Sequence, residues 1–307
     1  MKQYLSCAGW ALGMLVLILD GKTAMDGAAK GVQLCIQTLI PSLFPFFLLS
    51  GMLTSSLSGG GLLLTGILGG YPVGAGNAAS AYRAGQLCRA DARRMVVLCN
   101  CPGPSFLFGV IAPALGSSAR GMIVWLCCLV SVFALRLVFP KAQPASSCAP
   151  PVKLQQALFD AIRAMAGVCG WVILFRVILS ILDRWVLWLL PDWGRIAVYG
   201  ILELSNGCLA LKSVNPELGT VLAAGFAAFG GLCVMLQTVS VAEGIFTHLY
   251  FPGKIFQCAV SMLAASFFCP GAVSPVFQVS AAVFAVVLGF GLRKNEKRCG
   301  NRSPVIV

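Results

Sequence analysis

The chain has 307 residues, of which 58% are hydrophobic and only 10% charged, with a mean hydropathy of +0.88. Soluble domains carry roughly 25% charge, so a soluble enzyme is excluded and lipid is the expected solvent. The formal charge of +12 does not describe a nucleic-acid face, because the bases cluster beside apolar spans instead of interleaving with aromatics over a surface.

A bilayer core about 30 Å thick takes about 20 apolar residues per helical crossing. Four stretches without Asp, Glu, Lys or Arg meet that length: Gly31 to Tyr82, Met95 to Ala119, Leu218 to Ala242 and Ile255 to Leu292. Lys2 followed by the apolar run Leu5 to Leu19 has the outline of a signal peptide. The context around Thr23-Ala24-Met25 is poor for cleavage, so an uncleaved first helix is expected. A polar turn with Asp20, Lys22, Asp26 and Lys30 follows, and then a span from Gly31 to Leu53 that holds Pro41 and Pro45. Proline removes a backbone donor and clashes with the preceding turn, which predicts a kink or an interruption there.

Gly59 to Gly61 lead into a short apolar run ending in Gly69-Gly70-Tyr71-Pro72-Val73-Gly74. A lipid-facing helix does not tolerate such a hexapeptide, so unwound backbone sheltered by protein or lining a cavity is predicted. Gly66, Gly70 and Gly74, four residues apart, also suit close helix packing. Beyond the basic turn with Arg83, Arg89, Arg93 and Arg94, the span Met95 to Leu115 carries a second break, Asn100-Cys101-Pro102-Gly103-Pro104-Ser105. Gly121 to Phe139 is a cleaner crossing, ending near Arg136. The stretch Lys141 to Lys153, rich in Pro, Ser and Ala, is the expected linker.

The second half opens on a helix from Leu154 to Leu182, then Trp185, Trp188 and Trp193, which favour a membrane interface. Ile196 to Leu211 contains Glu203-Leu204-Ser205-Asn206-Gly207, and Leu218 to Ala242 carries Gly230-Gly231 and Gln237. Two further spans, Lys254 to Cys269 and Ala272 to Leu292, precede a basic tail with Arg293, Lys294, Lys297, Arg298 and Arg302. The positive-inside tendency places that tail and the Arg83 to Arg94 cluster in the cytoplasm. The fourteen cysteines fall mostly within apolar stretches and read as small packing residues. Cys99-Asn100-Cys101 has no second pair near it, so no metal site and no cofactor are expected.

The interruptions come in the same order in both halves, which points to a site at a repeat interface. The expected architecture is an all-α polytopic membrane protein of two inverted repeats with broken or re-entrant helices, in about eight spanning or half-spanning pairs of segments. Residues 1–140 form the first repeat, 141–153 the linker, 154–292 the second repeat and 293–307 the basic cytoplasmic tail.

Ile40-Pro41-Ser42-Leu43-Phe44-Pro45-Phe46-Phe47, Gly70-Tyr71-Pro72-Val73-Gly74-Ala75, Pro102-Gly103-Pro104-Ser105-Phe106, and Glu203 with Asn206-Gly207 together resemble the YlbJ-type sporulation integral membrane proteins. These belong to a wider group carrying the nucleoside-recognition or Gate domain. The resemblance implies the cell membrane of an endospore-forming bacterium, a role in spore cortex formation, and small polar solutes such as nucleosides. It names no substrate.

Glu203 is the sharpest site candidate, because a carboxylate at mid-membrane costs about 2.5 to 3.5 kcal/mol and should face a cavity or a partner. Ser205 and Asn206 beside it supply donors and acceptors, and carbonyls near Gly207 are candidate cation ligands. Asn100, Ser105 and Gln237 could meet Glu203 at one polar centre, with Asn77 as an addition. The plain alternatives are a solvated Glu203 near Arg195, and interhelical hydrogen bonds for Asn100 and Gln237. His248 near Tyr250 reads as an interface residue. No nucleophile with base and acid partners, phosphate loop or carboxylate pair is present, so no enzyme activity is expected. Expected partners are the bilayer, a nucleoside-like solute and a coupling ion, with a second copy of the chain as a further candidate. The leading function is a transporter or channel-like protein, and the alternative is a non-transporting scaffold or sensor required for sporulation.

Overall fold

The computed structural model describes residues 11, 13–56, 60–139, 153–242 and 244–300. All regular structure among them is helical. The linker 141–152, most of the Leu5 to Leu19 run, Gly59 and the end of the basic tail lie outside the described residues.

The first half opens with α1 (Gly21–Leu34), which runs through a π turn at Cys35–Leu39 into α2 (Ile40–Ser56). The interruption expected at Pro41 and Pro45 is absorbed by that π turn. Ile40 N–H bonds back to the Cys35 carbonyl, one residue wider than an α turn, and the helix then continues through Pro45. The same device recurs before Pro113, where Ala112 N–H bonds to the Leu107 carbonyl. Next come α3 (Gly60–Gly69) and α4 (Val73–Arg83), then α5 (Arg89–Cys99) with its broken continuation Pro104–Phe106, Leu107–Ile111 and Ala112–Ala114, and finally α6 (Ser118–Val138).

The second half has the long α7 (Leu154–Trp185), the short pair α8 (Asp192–Leu202) and α9 (Leu204–Ala210), the pair α10 (Pro216–Phe229) and α11 (Gly231–Val241), and the long α12 (Tyr250–Phe268). A last helix, α13 (Pro275–Gly300), takes in Arg293 to Arg298, so the basic segment begins on a helix and not beyond it.

Among the described residues seven helices are long and apolar enough to cross a membrane, which fits a multi-pass membrane protein. Burial sorts them. The most apolar stretches of Arg89–Ala114 and Pro216–Val241, the spans with breaks, are 83% and 67% buried, whereas those of Gly21–Leu53 and Pro275–Asn295 are 22% and 17% buried. Interrupted backbone is therefore inside and continuous helix outside, as backbone without water requires. Val276, Val279, Val283, Val287 and Phe290 on α13 are exposed and suit lipid contact.

Two antiparallel pairs hold the halves together. On α1, Gly27 approaches Val177 and Ser180 and Gly31 approaches Ile173, and in the π turn that follows Cys35 Sγ lies 3.9 Å from the Cys169 carbonyl, so α1 ascends as α7 descends. On α6 and α12, Cys128 Sγ is 3.6 Å from Ser261 Oγ, and Leu135 packs at Gly253. Asp20 fastens one end of the first pair, pairing with Arg184 Nε at 3.0 Å and accepting from Trp185 Nε1 at 3.0 Å. A hydrogen bond from Thr23, helped by Trp185 and Arg184, holds the Asp20 carboxyl below the usual carboxylate range.

The ends of the bundle differ in charge. Arg89 reaches the Gly244 carbonyl at 3.3 Å, Gly253 packs on Val97, and Gly289 packs on Val138 and Phe256. The Arg83 to Arg94 cluster, the 244–250 loop, Arg136 and the C-terminal end of α13 thus share one end. Gly219 beside Leu115 and Gly271 beside Glu217 mark the other.

Candidate functional site

Four breaks meet in pairs inside the bundle. Gly70 lies at φ +72, a left-handed conformation that a side chain resists, and turns the chain between α3 and α4. A methyl there would come 2.6 Å from Gly103 N, so the first break lies directly on the second. Tyr71 N–H donates to the Cys101 carbonyl at 2.9 Å, satisfying one freed backbone group with another. Gly66 and Gly74 both face Cys99 too closely for any side chain, which gives the four-residue glycine spacing a packing role.

In the second half, α8 stops at Glu203, which has extended backbone (φ −145, ψ 117) and caps α9. Its carboxylate accepts from Ser205 N–H at 2.9 Å, Asn206 N–H at 2.8 Å and Asn206 Nδ2 at 2.6 Å. Donors at a helix N-terminus together with the helix dipole are what a buried carboxylate needs. Arg176 Nη1 donates to Asn206 Oδ1 at 2.5 Å, linking a cation on α7 to the carboxylate through one amide. Glu203 is 2% exposed, and Arg195 faces Asp183 and Asp192 at 3.8 Å, so the solvated reading of Glu203 does not hold. The fourth break, Gly230-Gly231, is left-handed at both residues, and its second glycine backs onto the carbonyls of Gly200, Ile201 and Leu202. Gly207 does not offer a free carbonyl face. It lies in α9 against the Gly200 backbone, as a contact between the two half-helices.

Glu203, Ser205 and Gln237 line a cavity of about 20 Å³ together with Tyr71, Phe106, Leu43 and Val168. That is room for one water-sized occupant. The Tyr71 hydroxyl is buried without a hydrogen-bond partner among the described residues, and Gln237 Nε2 is spent on Cys233 Sγ at 3.3 Å. A vestibule of about 670 Å³, open to the basic end, is lined by Asn77, Ser80, Arg83, Asp160 and Arg163, and floored by Pro72 and Val73. The two spaces are stacked. Phe47, Ala164, Val241 and Pro72 line the upper one, while Leu43, Val168, Gln237 and Tyr71, each a turn or less along the same segments, line the lower. The Tyr71-Pro72 pair separates them.

Asn100 does not join Glu203. It ends α5 and belongs to a second polar centre, where its Nδ2 donates to Thr238 Oγ1 at 2.8 Å and to the Tyr250 hydroxyl. Lys254 Nζ donates to the Asn100 backbone carbonyl and to Gln257 Oε1 at 2.8 Å. The adjacent residues Gln237 and Thr238 on α11 face different centres, which is why one helix serves both. Ser105, also buried, has a hydroxyl without a partner among the described residues, and it lines neither space. Pro102, Gly103 and Pro104 form the break itself, with Gly103 against Leu68 and Gly70.

Lys254, Thr238, Gln257 and Arg176 are site residues that the sequence reading missed. By sequence Lys254 stands at the mouth of a span, yet it lies one turn inside α12 and is 1% exposed. A signal is present: Tyr250, Lys254, Gln257 and Ser261 fall at intervals of 4, 3 and 4 residues, a polar stripe on one helical face, and all four are buried. Arg176, alone in the apolar stretch of α7, is the other. Set against protein-family models, curated proteins and solved structures, the chain matches none of them.

Proposed function

We propose that this chain is a membrane carrier for a small polar solute, built from two inverted repeats and working across the Tyr71-Pro72 constriction. The observation that carries the reading is the stacking of an open vestibule on the Glu203 cavity, with unwound backbone between them. A space of about 670 Å³ is of the size that takes a metabolite, within the range of roughly 300 to 1,000 Å³. The lower cavity suits an ion, a water or the polar tip of a solute.

The inverted relation is supported by the helix pairs. If α1 corresponds to α7 and α6 to α12, each pair joins equivalent helices running antiparallel, as a twofold axis in the membrane plane requires. The broken segments follow the same exchange: α4 packs on α11, and α9 packs on Leu107–Ile111. The basic end then faces the cytoplasm, so the vestibule is the cytoplasmic entrance and the C-terminal helix ends on that side. Along the resemblance noted in the sequence, the solute class is nucleoside-like and the setting is the cell membrane of a spore-forming bacterium.

The scaffold alternative draws on one observation, the complete use of the Glu203 carboxylate as a helix cap. Proteoliposome uptake separates the two. Vesicles holding the protein should accumulate labelled uridine or adenosine above protein-free vesicles, and Glu203→Gln should lower the rate at least about tenfold, a rise of about 1.4 kcal/mol in the transport barrier. Uptake equal to that of empty vesicles across nucleosides, bases and amino acids removes the carrier reading, and full uptake by the Gln variant removes Glu203 from it.

A further inference from the structure

The Lys254 centre is not explained by the carrier reading, which uses the other side of α11. Three facts define it. Lys254 is fully inside the protein at 1% exposure, and among the described residues no carboxylate pairs with it. Its ammonium is held by two neutral oxygens, the Asn100 backbone carbonyl and Gln257 Oε1. The carbonyl belongs to Asn100, the residue that caps the C-terminal end of α5, where the chain unwinds (φ −90, ψ 67). A helix C-terminus carries the negative end of the dipole and leaves carbonyls without intrahelical donors.

Unwound carbonyls at a half-helix C-terminus inside a membrane protein are the groups that coordinate a bare monovalent cation. Asn100 Oδ1, buried and without a hydrogen-bond partner among the described residues, is a further acceptor at the same residue. Behind it the Asn100 amide is fixed by Thr238 and Tyr250, so the carbonyl is held in place from α11 and α12 together. An isolated cation in such surroundings is costly unless its site is built for it. A hydrophobic residue would fill the space without that cost, but would leave the Asn100 carbonyl and Gln257 Oε1 without donors.

We propose that this is a monovalent-cation site whose occupant is the protein's own Lys254 ammonium, a tethered cation at the C-terminal end of α5, so that the break takes neither Na+ nor K+ from solution. The proposal concerns the resting protein and holds whether or not the chain moves a solute.

Removing the tether should open the site to a free ion. Melting of the detergent-purified protein is compared in NaCl, KCl and choline chloride at equal ionic strength, for the wild type, Lys254→Ala and Lys254→Met. Lys254→Ala should melt on the order of 5 °C higher in NaCl or KCl than in choline chloride, because a bound cation stabilises the folded state. The wild type should show no such difference, its site being filled, and Lys254→Met should melt below the wild type in all three salts, its thioether occupying the space. Recovery of Lys254→Ala only from NaCl or KCl counts as the same response. Should it be lost in every salt, Lys254→Ser, which leaves similar room, takes its place. Failure of both to respond overturns the proposal, as does a wild type stabilised by Na+ or K+ as strongly as the variant, or a Lys254→Met protein as stable as the wild type.

Discussion

The Glu203 break and the Asn100 break solve one problem with opposite charges and opposite reach. At Glu203 an anion caps the helix that follows, and its donors come from residues two and three positions ahead. At Asn100 a cation closes the helix that precedes, and the groups that hold the break, Thr238, Tyr250 and Lys254, stand 138, 150 and 154 residues away. The first is a local device that can form as soon as α9 does. The second exists only when α5, α11 and α12 are assembled, so it reports the tertiary fold, and damage to it should spread further than damage at Glu203.

The largest effect is expected where the breaks touch. A methyl on Gly74 would fall onto the Cys99 carbonyl oxygen, and neither backbone can retreat because Gly70 and Gly103 are already in contact one turn away. Gly74→Ala should therefore cost about 3 kcal/mol or more and reduce the recovered folded protein sharply, read by fluorescence-detected gel filtration. Gly167→Ala is the control, since nothing lies within 4 Å of the added carbon. It should be neutral or gain up to about 1 kcal/mol from helix propensity. Equal tolerance of both changes would mean that the crossing is looser than its geometry.

The same contrast separates what the amino-acid sequence shows from what it hides. Local chemistry is legible: proline and glycine at bilayer depth mark the Gly70 to Gly74 and Asn100 to Ser105 breaks, and a carboxylate beside Ser205 and Asn206 marks the third. Glu203, Ser205 and Gln237 do line one cavity. Pairing is not legible. Nothing in the residues near Asn100 says that it turns to Tyr250 and Thr238 and not to Glu203, because that choice depends on how α11 is rotated. Lys254 stands at the edge of an apolar run, the usual place for a lysine whose stem lies along the span while its ammonium reaches water. Its stripe with Tyr250, Gln257 and Ser261 becomes visible only when the helix is drawn starting at Tyr250, four residues earlier than the apolar run suggests.

A smaller effect should come from Tyr250→Phe. The ring stays packed on Phe246 at 5.2 Å, so only the hydroxyl is lost. Asn100 Nδ2 keeps Thr238 Oγ1 at 2.8 Å, so the loss is the hydroxyl's two contacts, with Asn100 Nδ2 and with Thr238 Oγ1 at 3.3 Å, about 0.6 to 1.7 kcal/mol together. The melting temperature should fall by roughly 2 to 4 °C. A larger drop would show that the network is cooperative and that the Asn100 break depends on Tyr250 for more than these two contacts. No drop would show that Thr238 alone suffices, and would weaken the view of this break as a tertiary assembly.

The smallest change in stability should be the most informative about access. Gly76 lies on the vestibule wall, with Val241 Cβ at 3.9 Å the nearest atom to an added carbon, so Gly76→Cys should shift stability by no more than about 0.5 kcal/mol. In a cysteine-poor background its thiol should react quickly with a charged aqueous reagent added from the basic end. Ser105→Cys, two residues beyond Gly103 and 6% exposed, should react far more slowly, because it lies at the second break outside both spaces. The difference tests the division of the interior directly: water reaches the Pro72 side of the first break and stops before the second. Rapid labelling of Ser105→Cys would mean that water passes the Tyr71-Pro72 constriction in the resting protein and reaches the second break. Protection of Gly76→Cys would mean that the vestibule is closed, and the carrier reading would lose its entrance.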